Sequence, residues 1–192
     1  MKLKRLIACW LLCVAWCLDS VSHAAEPDTP LPAGLHNDIE FARIGDVSLT
    51  LDAFVPPGKG PFPTCILVHG GGFVRGDKQS YIKPLFAPLS QAGFAWFTIN
   101  YRLAPQHRWP ACADDVATAI RWVKHHAKEY QVDTRRIALI GESAGGHLVS
   151  WAGVHGRGDT SVAAVVPFYA PHDLALQVRH RQQLGESVTA LL

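Results

Sequence analysis

The sequence has 192 residues, of which 48% are hydrophobic, and a formal net charge of +2. This near-neutral charge, with no stripe of Lys and Arg side chains, argues against a protein that binds nucleic acid. The length suits a single globular domain.

The first 24 residues have the layout of a secretory signal peptide. A basic start precedes an apolar run over residues 6–18, and small residues lie just before a cleavage point after Ala24. The apolar run is shorter than the roughly 20 residues that span a bilayer, so a membrane anchor is the weaker interpretation and no stable membrane span is expected. We predict export to the periplasm or the extracellular space, with a proline-containing linker over residues 25–38.

Strands and helices alternate along the rest of the chain. The predicted strands cover residues 47–55, 64–69, 94–100, 136–140 and 162–169, and the predicted helices lie at 78–91, after Pro110 and from Gly146. The first strand alternates apolar and polar residues, whereas the later ones are apolar runs typical of strands covered on both faces. This order predicts an α/β fold with a mostly parallel sheet over residues 39–192.

Ser143 lies at the centre of a Gly-x-Ser-x-Gly pattern, between a predicted strand and a predicted helix. In that context the pattern is typical of a nucleophile elbow, a tight turn that exposes the serine hydroxyl at the end of the sheet. The flanking positions are Gly141 and Gly145, since a side chain there would collide with a neighbouring strand or helix. The pattern therefore predicts that Ser143 is a nucleophile.

A second glycine-rich stretch, His69-Gly70-Gly71-Gly72, follows another predicted strand. Glycines let the backbone approach a reacting atom and turn its N–H groups inward. In ester hydrolysis such donors stabilise the negative charge on the former carbonyl oxygen. We predict that Gly71 and Gly72, together with Ala144 after the nucleophile, form this oxyanion hole. A phosphate-binding loop is disfavoured because the Lys-Ser/Thr ending is missing.

Three motifs occur in order along the chain: His69-Gly70-Gly71-Gly72-Phe73, Asn100-Tyr101-Arg102-Leu103-Ala104-Pro105 and Gly141-Glu142-Ser143-Ala144-Gly145-Gly146-His147. Together they resemble the α/β-hydrolase superfamily, and more narrowly the hormone-sensitive-lipase-like carboxylesterases and related secreted bacterial esterases. The resemblance covers residues 46–173. It implies hydrolysis of carboxylic esters through an acyl-enzyme on Ser143, with no cofactor and no metal.

Other residues fit supporting roles in this interpretation. Arg102 and Asp115 are expected to pair and brace the turn that follows Tyr101. Glu142 is interpreted as a brace beside the serine, and His69 as an anchor of its own loop through a hydrogen bond.

The partners of the serine are harder to find. A serine nucleophile needs a base and an orienting carboxylate, and in this family both follow the serine, in the order Asp or Glu and then His. Only 49 residues follow Ser143, and the candidates among them are Asp173 and the adjacent His172, with Asp173 equally suited to cap a helix. We therefore expect a hydrolase domain that lacks its last strands, a fragment of a longer esterase. The alternative is an inactive, truncated hydrolase-fold protein that binds an ester, sugar or partner without turnover.

The substrate class follows only by analogy. Export and the resemblance suggest a small ester, with acyl groups on plant polysaccharide as one option. The two cysteines outside the predicted signal peptide, Cys65 and Cys112, either form a disulfide or remain buried free thiols, and the free thiols are favoured.

Overall fold

The computed structural model of the protein describes residues 31–176 and 189–191. The strands are β1 (Gly34–Ile44), β2 (Val47–Val55), β3 (Phe62–Val68), β4 (Ala95–Ile99), β5 (Val132–Glu142) and β6 (Ala164–Phe168). The main helices are α1 (Phe86–Gln91), α2 (Ala111–His125) and α3 (Ala144–His155), with short 3₁₀ helices at Lys83–Leu85 and Gly158–Thr160. The predicted signal peptide lies outside the described residues.

Within this part of the chain the strands form one sheet in the order β1-β2-β4-β3-β5-β6. The neighbours β1, β2 and β4 pair antiparallel, whereas β4, β3, β5 and β6 run parallel. The strand–helix alternation read from the sequence therefore gives the mostly parallel, helix-flanked sheet that was predicted. The carboxyl ends of β3 and β5 lie side by side, because Val68 pairs with Gly141.

Two hydrophobic clusters cover the two faces of the sheet. Along β3, Ile66 and Val68 belong to the larger cluster, which includes the apolar faces of α2 and α3. Cys65 and Leu67 belong to the smaller cluster, against which residues of the 3₁₀ helix and α1 pack. The alternation along one strand thus divides the core, as the two-residue period of a strand requires.

Three elements differ from the sequence prediction. The predicted linker over residues 25–38 overlaps β1, which begins at Gly34. The predicted helix at 78–91 is reduced to the 3₁₀ helix and α1, since Pro84 and Pro88 each lack the N–H that a longer helix needs. The predicted buried strand at 162–169 is the edge strand β6, where Val166 and Phe168 are 40% and 42% exposed.

Cys65 and Cys112 are free thiols buried in different clusters, in agreement with the favoured interpretation. Burial raises the pKa of each thiol to about 11. In the described residues, no helix combines the length and the apolar character needed to cross a membrane.

Candidate active site

Ser143 occupies a strained turn between β5 and α3. Its backbone has φ 53° and ψ −116°, a conformation that a non-glycine residue adopts only when its surroundings impose it. The Ser143 N–H donates a hydrogen bond of 2.9 Å to the carbonyl oxygen of Phe168 at the end of β6. The neighbouring strand therefore helps to hold the turn that the Gly-x-Ser-x-Gly pattern predicted.

The glycine after the turn lets α3 approach β3 closely. A Cβ atom on Gly145 would lie 2.1 Å from the carbonyl oxygen of Val68 and 2.4 Å from that of His69. Backbone atoms cannot move away as a side chain can, so only glycine fits. This contact brings the first turn of α3 against the loop that follows β3.

That loop, residues 69–77, is called the glycine loop below. Gly71 has φ 110° and Gly72 has φ 64°, and a Cβ atom on Gly71 would lie 2.0 Å from the carbonyl oxygen of Arg75. The Gly71 carbonyl accepts the N–H groups of Val74 and Arg75 at 3.3 and 3.2 Å. The N–H groups of Gly71 and Gly72 donate to no acceptor among residues 31–176 and 189–191. They are available to an external acceptor.

Ala144 is the first residue of α3. The first N–H groups of a helix have no acceptor within the helix, and the helix dipole adds positive potential there. The two glycines and Ala144, predicted as oxyanion donors, thus belong to neighbouring segments at the same edge of the sheet.

Glu142 connects the elbow to the glycine loop. Its side chain is 7% exposed, and its Oε1 accepts the Gly70 N–H at 2.7 Å. The same carboxylate lies beside the phenol of Tyr169 and raises its pKa. Glu142 therefore ties the end of β5 to the glycine loop, and its role as a brace of the serine stays a prediction.

His69 is 1% exposed and stacks on Tyr101 with ring centroids 4.3 Å apart. Its Nδ1–H donates to the Gly70 carbonyl oxygen at 2.7 Å, while Nε2 has no partner among the described residues. Burial lowers the pKa of His69 to about 4. The imidazole is therefore neutral near pH 7, and its hydrogen bond to Gly70 ties the ring to its own loop. The Tyr101 hydroxyl supports the same segment by donating to the His69 carbonyl at 3.0 Å.

Arg102 and Asp115 form the predicted pair. The Arg102 Nε and Nη2 atoms donate to the fully buried Asp115 carboxylate at 2.7–3.0 Å. Asp115 also accepts the Arg102 N–H at 2.8 Å. The pair fixes the segment after Tyr101 to α2, so its contacts are structural.

The structure does not join the weaker candidates to Ser143. His172 and Asp173 are exposed, and Asp173 accepts the Leu176 N–H at 2.7 Å, which is the capping role left open by the sequence. The nearby His147 donates from Nδ1 to the Pro171 carbonyl at 2.8 Å. In the described part of the chain no histidine hydrogen-bonds to the Ser143 hydroxyl, and no group of three or more His, Cys, Asp or Glu side chains could hold a metal ion.

Sequence reasoning missed a buried ionic cluster behind the glycine loop. Lys78 is only 7% exposed and its ammonium group contacts Asp52, at 2.6 Å, and Asp38. The sequence predicts Lys78 within a helix and Asp38 within a linker. The predicted strand over residues 47–55 contains Asp52, but no local pattern indicates the partner of its carboxylate.

Comparison with known proteins identifies related esterases. A family model described as BD-FAE matches residues 51–192. The probable carboxylic ester hydrolase LipM of Mycobacterium tuberculosis is 35% identical over 150 residues, which cover 73% of this chain and 33% of the relative. The ethyl acetate hydrolase of Pseudomonas putida is 33% identical, with 69% of this chain and 44% of the relative covered. The chain thus spans between a third and a half of the length of these relatives.

Solved structures show the same fold. A truncated carbohydrate esterase from gut microbiota superposes with a TM-score of 0.66 at 30% identity, over 77% of this chain and 60% of the other. The carboxylesterase EstE1 superposes with a TM-score of 0.73 at 23% identity, over 86% of this chain and 61% of the other. At that identity the second likeness shows the fold alone, which is the α/β-hydrolase fold.

Proposed function

Because the chain belongs to the BD-FAE family and has the α/β-hydrolase fold, we propose that it carries the nucleophile and the oxyanion hole of a carboxylic ester hydrolase. The observation that supports this most directly is the strained backbone of Ser143 next to a loop whose Gly71 and Gly72 N–H groups have no acceptor among the described residues. The names of its relatives point to the same reaction.

The chemistry that we propose has two stages. The Ser143 hydroxyl loses its proton to a base and its oxygen attacks the acyl carbon, so that negative charge develops on the former carbonyl oxygen. The N–H groups of Gly71, Gly72 and Ala144 stabilise this charge, each contributing about 3 kcal/mol. The protonated base gives its proton to the departing alcohol, and the same base then takes a proton from the water that attacks the acyl carbon, so that the acid and the free Ser143 hydroxyl are released. Among the described residues the chain supplies the nucleophile and the oxyanion donors of this scheme, and the scheme itself requires no cofactor.

The absence of a histidine bonded to Ser143 in the described residues favours a second candidate, a hydrolase-fold protein that binds esters without turnover. The two candidates differ in one measurable property. A fluorophosphonate reacts covalently with an activated serine, whereas a binding protein leaves it unmodified. Labelling therefore separates them before any substrate is known.

For the substrate we propose a small ester, with acyl groups on polysaccharide as one option. The printed names of an ethyl acetate hydrolase and of a carbohydrate esterase among the similar proteins support this choice. We also propose that the protein is exported. Sequencing of the secreted product should find Ala25 as its first residue, and a product that retains residues 1–24 would contradict export by cleavage.

The central experiment compares the full-length chain with Ser143→Ala and Ser150→Ala. Ser150 is a matched control on α3, since its hydroxyl donates to the Gly146 carbonyl at 2.9 Å. We expect the fluorophosphonate to label the wild type and Ser150→Ala but not Ser143→Ala. Hydrolysis of p-nitrophenyl acetate should follow the same order. A folded wild type that shows neither labelling nor hydrolysis would support the binding protein.

A further inference from the structure

The ionic cluster behind the glycine loop is built from distant parts of the chain. Asp52 on β2 is 1% exposed and its Oδ1 accepts both the Lys78 ammonium at 2.6 Å and the Asp38 N–H at 2.9 Å. Its Oδ2 accepts the Gln79 side-chain amide at 3.0 Å. Both oxygens of the buried carboxylate accept hydrogen bonds and the buried ammonium has two acidic partners, which is the condition for burying a charge in a protein.

A distortion in β1 supplies the second carboxylate. The pairing of β1 with β2 shifts register between His36 and Ile39, and Asp38 within this bulge has φ 56°. Bulges redirect side chains and are frequent beside functional sites. Here the bulge directs the Asp38 carboxylate to the Lys78 ammonium.

The backbone of Lys78 is held as firmly as its side chain. Its N–H donates to the Asn100 side-chain oxygen at 2.7 Å, and its carbonyl accepts the Thr98 hydroxyl. Lys78 directly follows the glycine loop, whose other end is held by the bond from Gly70 to Glu142. The loop is thus fixed at both ends, while the N–H groups of Gly71 and Gly72 between those ends have no acceptor in the part of the chain that the structure describes.

Stability alone does not account for a buried lysine at this position. Replacing a buried ion pair by apolar side chains is often neutral or stabilising, so an apolar residue would serve equally well if only packing mattered. Burial lowers the pKa of Lys78, but the hydrogen bonds to Asp38 and Asp52 outweigh it and the net pKa is raised. The ammonium stays charged and keeps both directional contacts.

We infer that Lys78 is a positioning residue for the oxyanion hole: its contacts with Asp52 and Asp38 hold the glycine loop so that the N–H groups of Gly71 and Gly72 face the reacting oxygen. This inference rests on the proposed function for the identity of the acceptor, but the restraint on the loop is a property of the chain itself. Through Asp38 and Asp52, the paired strands β1 and β2 thereby help to position the oxyanion hole.

The first test measures how strongly Lys78 restrains the glycine loop, and it requires no enzymatic activity. Amide hydrogen exchange is compared in the full chain for wild type, Lys78→Met, Lys78→Arg and the exposed control Lys83→Met. For Lys78→Met we expect exchange at least about tenfold faster over residues 70–77 and unchanged in α2, with partial rescue in Lys78→Arg. Unchanged exchange over residues 70–77 in folded Lys78→Met would overturn the inference. If Lys78→Met does not fold, Asp38→Asn removes only the more exposed carboxylate, and the same comparison decides.

The second test measures the consequence for chemistry. With p-nitrophenyl acetate, Lys78→Met should lower kcat by about tenfold to a hundredfold and leave KM within about twofold, because oxyanion contacts form in the transition state. A rise in KM alone would contradict a positioning role. A wild type without hydrolysis or labelling refutes the proposed function and leaves the exchange result to stand by itself, so the two failures are distinguishable.

Discussion

The neutral, buried imidazole of His69 predicts a specific dependence of stability on pH. Folding lowers the pKa of His69 from 6.5 to about 4, because burial disfavours the charged ring and Nε2 has no partner among the described residues. Between these two values the unfolded chain binds a proton that the folded chain does not. Stability must therefore fall as the pH is lowered through this interval, and the effect ends once both states are protonated.

The size of this effect follows from the shift. One pKa unit corresponds to about 1.4 kcal/mol, so His69 should remove about 3 kcal/mol from the free energy of unfolding between pH 7 and pH 4. That is a large share of the roughly 5–15 kcal/mol that stabilises a typical domain. The substitution His69→Asn retains an amide nitrogen that can replace Nδ1 as donor to Gly70, and it removes the titratable group.

The assay is urea unfolding of wild type and His69→Asn at several pH values from 4 to 7.5. Other titrating groups are common to both proteins, so the difference between the two free energies isolates His69. The wild-type advantage should shrink by about 3 kcal/mol on acidification. A difference that stays constant with pH would show that the folded ring accepts a proton readily, and the assignment of His69 as a neutral anchor would be refuted.

Two further substitutions test the framework of the site. Gly145→Ala should destabilise the fold by about 3 kcal/mol or more, because its Cβ would lie 2.1 Å from a backbone oxygen of β3. A Cβ on Gly153 of the same helix would lie 2.5 Å from a methyl carbon of Val165, and its three nearest atoms all belong to that side chain, so Gly153→Ala should cost less. Equal effects in thermal unfolding would contradict the close approach of Gly145 to β3. Asp115→Asn should lower the free energy of unfolding by about 3 kcal/mol, because it leaves the Arg102 guanidinium without its buried charged partner. Asp114→Asn, at the exposed neighbouring position, should change it by less than about 1 kcal/mol. A denaturant series in which the two variants lose the same stability would refute the bracing role of the pair.

Features that depend on neighbouring residues could be read from the sequence. The elbow around Ser143 needs a strand, a turn and a helix in succession, and all three follow one another within residues 136–152. The pair of Arg102 with Asp115 was predicted from the sequence, whereas Glu142 was interpreted only as a brace beside the serine, and its hydrogen bond with Gly70 was not predicted. Membership of the family and the fold confirms the resemblance that those motifs indicated, whereas the nucleophilic role of Ser143 stays a prediction.

Contacts that depend on the register between strands could not be predicted from the sequence. The contacts of Lys78 bridge separations of 26 and 40 residues, and the longer one, to Asp38, involves a residue within the bulge of β1. A bulge changes the side-chain alternation of a strand, which is the signal that strand prediction uses. The apolar run over residues 162–169 predicts a strand but does not say which of its side chains are covered, because the covering elements come from other parts of the chain.

Alkylation of the two buried thiols, Cys65 and Cys112, can report how the protein unfolds. Thiolates, not thiols, react with alkylating reagents. Because the pKa of each buried thiol is about 11, almost none of Cys65 or Cys112 is present as thiolate at neutral pH while the protein stays folded. Cys65 and Cys112 lie in clusters on opposite faces of the sheet. Similar alkylation rates for the two cysteines would therefore indicate global unfolding. A faster rate at one of them would indicate that the elements on that face of the sheet unfold first.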